Sequence, residues 1–248
     1  MGMSGSDVAQ EAASVVILND DFFSLLKVVS WGRCINDSIR KFIQFQLSVT
    51  GAALGVVALS TIFYSEQILN PLQILWINLY MDSFSALSLS TDQPTNQLFL
   101  RSPESVNTPI ITNYMKLFMA STVLYQYLVM IVLILFGISK TFIFNTFFFL
   151  QIFNQINARS IDVHRSPFSA ITANKIYLLV NIISVILQII IVQKLGIVFG
   201  TEPLSFGSWS FSIFIALLII PFFEIIRNLE KRRVKKTVKL EETIHSTK

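Results

Sequence analysis

Apolar residues run along this chain in long blocks separated by short polar breaks, and the blocks have membrane-crossing length. A hydrocarbon core about 30 Å thick needs about 20 helical residues at 1.5 Å each. Six stretches meet or approach that, near 42–63, 69–90, 114–136, 141–157, 175–195 and 209–227. The fourth is short and carries Asn145, Gln151, Asn154 and Gln155, so it ranks lowest by hydropathy. Its Phe-rich remainder and the tight connection before it predict that it still returns across the bilayer. An even number of spans puts both termini on one side. Ahead of the blocks the pattern changes: 6–14 reads as a helix, 15–18 as a short buried strand, and Asn19-Asp20-Asp21 as a turn and cap for a helix through Trp31. So short a segment cannot hold an independent core. The predicted fold class is an all-α membrane protein, a bundle of six transmembrane helices preceded by a small α/β segment that reads as the edge of a larger domain.

Composition agrees with the pattern. At 53% hydrophobic and 14% charged residues, with a mean hydropathy of +0.62, the chain is too apolar for a soluble domain of its size. The 22 Phe suit lipid-facing helices, and a single cysteine, Cys34, excludes an internal disulfide or a Cys-based metal site. Met1–Asp21 lacks the basic start and apolar core of a signal peptide. Lys and Arg orient the bundle. Seventeen lie on or beside the segments on one side of it, and only Lys140 and Lys194 on the other, so the positive-inside rule assigns both termini to the cytosol. That placement rules out use of the sequon Asn36-Asp37-Ser38.

The chemistry concentrates in the second block, PLQILWINLYMDSFSALSLS. Asn78 and Asp82 stand one turn apart there, and Asp82 is the only acid expected to be buried mid-span. A carboxylate at membrane depth costs a few kcal/mol or more and marks an ion or proton path. Gly51 and Gly55 form a small-xxx-small pair, read as a helix-contact face. The amides of the fourth block read as interhelical glue, and Glu224 as the partner of Arg227, three residues on. No Walker-type phosphate loop occurs, and no internal repeat favours an inverted-repeat transporter.

Several segments together resemble the P-type ATPases, and among them the plasma-membrane-type calcium pumps. They are Met1-Gly-Met-Ser-Gly-Ser-Asp-Val-Ala-Gln-Glu-Ala-Ala, Val16-Ile-Leu-Asn-Asp-Asp-Phe22, Trp31-Gly-Arg33, Ile39-Arg-Lys-Phe-Ile-Gln-Phe-Gln-Leu47, Leu75-Trp-Ile-Asn-Leu-Tyr-Met-Asp82, Pro94-Thr95 with Arg101-Ser-Pro103, Phe144-Asn-Thr146 and Gln151-Ile-Phe-Asn-Gln-Ile-Asn-Ala-Arg159. The resemblance covers about residues 1–227. It implies that 1–41 is the end of the phosphorylation domain and a stalk, that 42–227 holds the family's fifth to tenth helices, and that 228–248 is a basic cytosolic tail.

By the same resemblance Asn78 and Asp82 are calcium ligands. Calcium takes 6–8 oxygens, and an amide and a carboxylate at i and i+4 supply two toward one face. Thr50 stands where the family usually has Asn, so it offers a hydroxyl without an amide carbonyl. The phosphorylated Asp-Lys-Thr-Gly motif and the Mg-binding segment are absent from this sequence. ATP and Mg would therefore act only through a missing amino-terminal half, which also supplies the fourth helix and its acid, and no catalytic residue is expected here. Residues from Arg227 to Leu240 (RNLEKRRVKKTVKL) fit calmodulin, as in related pumps, or better a surface of anionic lipid, since they lack an aromatic anchor. No nucleic-acid partner is expected. The membrane is the plasma membrane or that of an internal calcium store, and the alternative function is a stand-alone non-catalytic membrane partner or passive cation pathway.

Overall fold

The computed structural model describes residues 6–17, 21–64, 68–92, 94, 102, 105, 108–162, 167–168 and 174–246, without the side chains of 22, 62–64, 81 and 237–246. The expected turn at Asn19-Asp20 and most of the Pro94–Pro103 resemblance lie outside these residues. A short helix α1 (Asp7–Ala12) opens the chain. No β-strand element occurs among the described residues. The expected buried strand at 15–18 is corrected accordingly: Val15 and Val16 are exposed, Ile17 holds only an isolated bridge, and Leu18 lies outside the described residues.

Helix α2 (Phe22–Tyr64) is one uninterrupted element of 43 residues, about 65 Å long. It begins where Asp21 Oδ1 accepts a hydrogen bond from the Phe23 amide. The sequence reading divided this run into a helix, a stalk and a span, yet no Pro interrupts it and Gly32 is tolerated inside it. Residues 71–90 follow as α3 (Pro71–Leu79), a π-helical segment (Tyr80–Ser85) and α4 (Ala86–Ser90). Pro71 at the first helical position suits an N-terminus, and Gln73 Oε1 accepts from the Asn70 amide.

Thr112, Ser139, Asn174 and Ser205 cap α5 (Asn113–Leu135), α6 (Lys140–Ala158), α7 (Lys175–Lys194) and α9 (Phe206–Leu217), each accepting from the amide three residues on. The short α8 (Gly196–Phe199) ends at Gly200, whose φ of 62° is the left-handed form a helix C-terminus favours. Helix α10 (Ile219–Ser246) starts after a break at Leu218. Pro221 accounts for the break, because its ring and missing N–H disrupt the turn behind it.

Among the described residues, four helical runs are long and apolar enough to cross a membrane: Phe23–Thr61, Asn113–Leu135, Lys175–Lys194 and Phe206–Lys236. The other two expected spans are helical but do not meet that measure, one being divided by its π segment and the other diluted by amides. Helix α6 is nonetheless the core of the bundle. Neighbours α2, α5, α7, α9 and α10 all pack on it, and Phe144, Phe147, Phe148, Asn145, Gln151, Asn154 and Gln155 are fully buried. This corrects the assignment of the phenylalanines to lipid, since the densest run of them fills the interior. Gly51 and Gly55 do form a contact face. Tyr127 of α5 donates its hydroxyl proton to the Gly51 carbonyl at 2.6 Å, and a Cβ on Gly55 would collide with the Tyr127 ring.

Candidate cation site

Asp82 lies inside the π segment, and Asn78 in the last turn of α3. Backbone bonds in a π turn run i to i+5, so the turn is wider and the strict i, i+4 stacking expected for this pair does not carry across it. Such π insertions recur at functional sites. Asn78 is half-buried and Asp82 exposed. The expectation of a buried Asp82 is thereby corrected, because this residue faces outward from the bundle formed by the described helices.

The opposite face of the same segment is fastened to the core. The Trp76 indole N–H donates to Gln188 Oε1 at 2.9 Å, and Gln188 donates to Asn145 Oδ1 at 3.2 Å. The fully buried Tyr80 shares its hydroxyl proton between Gln155 Oε1 at 3.3 Å and Asn181 Oδ1 at 3.5 Å, and its ring lies 5.1 Å from that of Phe148. Gln155 in turn donates to the Ser88 hydroxyl at 3.0 Å. These bonds satisfy polar groups that would otherwise be buried without partners. They hold Asp82's backbone from both sides of the π turn.

A side-chain bond joins this segment to α2: Gln46 Nε2 donates to Asp82 Oδ1 at 2.8 Å. Thr50, the α2 residue singled out in the sequence, is exposed one turn further on. Among the described residues its hydroxyl makes no bond to Asn78 or Asp82. The structure thus brings Gln46 to the carboxylate and leaves Thr50 aside. The amides of α6 bond to neighbouring helices as expected: Gln151 and Gln126 pair reciprocally at 3.0 and 3.4 Å, and Asn145 donates to Ser212 at 3.2 Å. Asn154 differs, with both amide atoms buried and without a partner among the described residues. No group of three His, Cys, Asp or Glu residues suited to a metal occurs among the described residues.

Ten residues beyond Asp82 lies a second acidic centre that sequence reading missed. Asp92 accepts from Lys41 Nζ of α2 at 2.6 Å, from the Arg159 guanidinium just past α6 at 2.9 Å and from Asn174, the α7 cap, at 3.0 Å. Cys34 donates its thiol proton to the Asp92 carbonyl at 3.2 Å. Burial pushes this carboxyl upward, but the Lys41 and Arg159 charges and the bonds from Lys41 and Asn174 outweigh it, holding its pKa below the ordinary carboxylate value. Lys41 and Arg159 were visible in the sequence only as orienting charges. Pairing across such separations has no local signature.

Residues 66–229 match the family described as "Cation transporting ATPase, C-terminus". The chain belongs to that family. Among curated relatives it is 36% identical over 238 residues to the putative calcium-transporting ATPase 13, plasma membrane-type, of Arabidopsis thaliana, covering 92% of this chain and 23% of the relative. It is also 36% identical over 255 residues to plasma membrane calcium-transporting ATPase 1 of Homo sapiens, covering 95% and 21%. Calcium-transporting ATPase 2 of Schizosaccharomyces pombe is 34% identical over 261 residues, covering 99% and 20%. The chain thus spans between a fifth and a quarter of the length of these relatives. Four apolar helices and the family together make it an all-α integral membrane protein, akin to the carboxyl-terminal part of calcium P-type ATPases.

Proposed function

We propose that the chain forms the carboxyl-terminal transport part of a calcium-transporting P-type ATPase, with Asp82 and Asn78 on one wall of the calcium path. The observation that carries this reading is the placement of Asp82. Its backbone is secured by the Trp76, Tyr80 and Ser88 bonds, while its carboxylate is presented outward beside Gln46. An outward-facing carboxylate on a well-anchored π turn suits a site completed by another element. Asn78 and Asp82 supply at most about three of the 6–8 oxygens calcium takes. Thr50, exposed one turn from Gln46, is a weaker third candidate.

On this reading residues 71–90 and α6 are spans too, giving six, because bundle-interior helices need not be apolar on every face. Residues 1–41 are then the end of a phosphorylation domain and stalk, 42–227 the transport domain and 228–248 the tail, with both termini cytosolic. ATP and Mg act through the amino-terminal part of such a pump. The basic face of α10, where Arg232 and Arg233 are exposed, meets anionic lipid rather than calmodulin. The test is a chimera joining residues 22–246 to the amino-terminal part of the S. pombe calcium-transporting ATPase 2, assayed for ATP-driven calcium-45 uptake into vesicles. Asp82→Ala is expected to abolish uptake at low micromolar calcium. Uptake unchanged by that substitution would refute the assignment.

A further inference from the structure

We propose that Gln46 is a member of the cation site, a residue that anchors the Asp82 carboxylate through its N–H and contributes its own amide oxygen to the ion. The proposal rests on the reading of Asp82 as a cation ligand. An ionised carboxylate only accepts, so the end of the Gln46 amide facing Asp82 Oδ1 at 2.8 Å must be Nε2. That orientation leaves Oε1 on the other side of the amide. This oxygen is buried and, among the described residues, has no hydrogen-bond partner.

A buried acceptor with no partner is unusual in a folded protein and calls for a reason. Here it adjoins the carboxylate most suited to hold a cation. A cation at Asp82 repels an N–H and attracts a carbonyl oxygen. The terminal torsion of glutamine is broad and roughly two-fold, so the amide can turn over with little rotameric strain and present Oε1 in place of Nε2. One side chain then serves two purposes: it fixes the carboxylate by a hydrogen bond and exchanges that bond for coordination. The contribution of α2 to the site thus comes one turn before Thr50. A hard divalent cation with a preference for oxygen is the ligand class this amide and carboxylate suit.

The experiment uses the whole chain in lipid nanodiscs with terbium(III), an oxygen-seeking luminescent stand-in for calcium, titrated and then displaced by calcium. Gln46→Leu removes both amide functions at similar volume and is expected to weaken terbium binding roughly 10–100-fold. Gln46→Glu keeps an oxygen and loses the donor, so it is expected to bind at least as tightly as wild type. Far-UV circular dichroism should be the same for all variants. Wild-type affinity in Gln46→Leu alongside lost binding in Asp82→Asn would overturn the role of Gln46 and leave Asp82 standing. Equal weakening in Gln46→Leu and Gln46→Glu would overturn the ligand role in favour of a donor alone. Terbium binding indifferent to Asp82→Asn would overturn the parent reading and this one with it.

Discussion

Replacing Asp92 by Asn should open the end of the bundle where α2, α4, α6 and α7 meet. The Lys41 and Arg159 side chains are 3% and 4% exposed and that of Asp92 is 10% exposed, so this carboxylate pairs with both cations where water is largely excluded. Removing one partner of a buried ion pair costs about 3–5 kcal/mol, because the charges left behind stay desolvated. Asparagine keeps the volume and part of the hydrogen bonding, which places the expected loss near the lower end. Cys34 offers a local reporter, being the sole cysteine, buried, and bonded to the Asp92 carbonyl. If the thiol reacts only after local opening, about 3 kcal/mol becomes roughly a hundredfold faster maleimide labelling at pH 7. The pH dependence has a definite sign. Asp92's native pKa is lowered by Lys41 and Arg159 despite the opposing effect of burial. Its stabilisation is therefore complete above the ordinary value of about 4 and is lost as pH falls through the lower native value. After correction for thiol ionisation, wild-type labelling should stay flat from neutral pH down to about pH 5 and rise only below pH 4. A labelling rate in Asp92→Asn equal to that of wild type would refute the clamp.

Three further outcomes are expected. Gly55→Leu should lower the thermal midpoint, consistent with about 1–3 kcal/mol of overpacking, because its side chain meets the Tyr127 ring, whereas Gly51→Ala has only Val123 Cγ2 at 3.3 Å to displace; differential scanning fluorimetry separates the two. Gln151→Leu should cost about 1–3 kcal/mol by stranding Gln126, and the Gln126→Leu/Gln151→Leu double variant should recover most of it, which a denaturation cycle measures. In a peptide of residues 227–246, Arg232→Glu and Arg233→Glu should each weaken binding to phosphatidylserine vesicles by about 1 kcal/mol or more in co-sedimentation.

The sequence by itself determined the class of the molecule, most helix positions and the segment where chemistry lies. Apolar block length and charge asymmetry are properties of local composition, and a lone acid among apolar residues is conspicuous without any coordinates. The cap at Asp21 was legible for the same reason, since it bonds only two residues away. Sequence reading failed where outcome depended on what surrounds a helix. Helix α6 ranked lowest by hydropathy and proved to be the core, because enclosure on all sides lets amides pair with other helices while phenylalanines pack. Asp82 proved exposed because a helix face is buried only if another element covers it. Gln46 and the Asp92 clamp were invisible because their partners lie 36 to 82 residues away along the chain. Only the tertiary structure decides such pairings: a hydrogen bond or ion pair forms where packing places donor and acceptor within about 3 Å, and linear spacing carries no record of that distance.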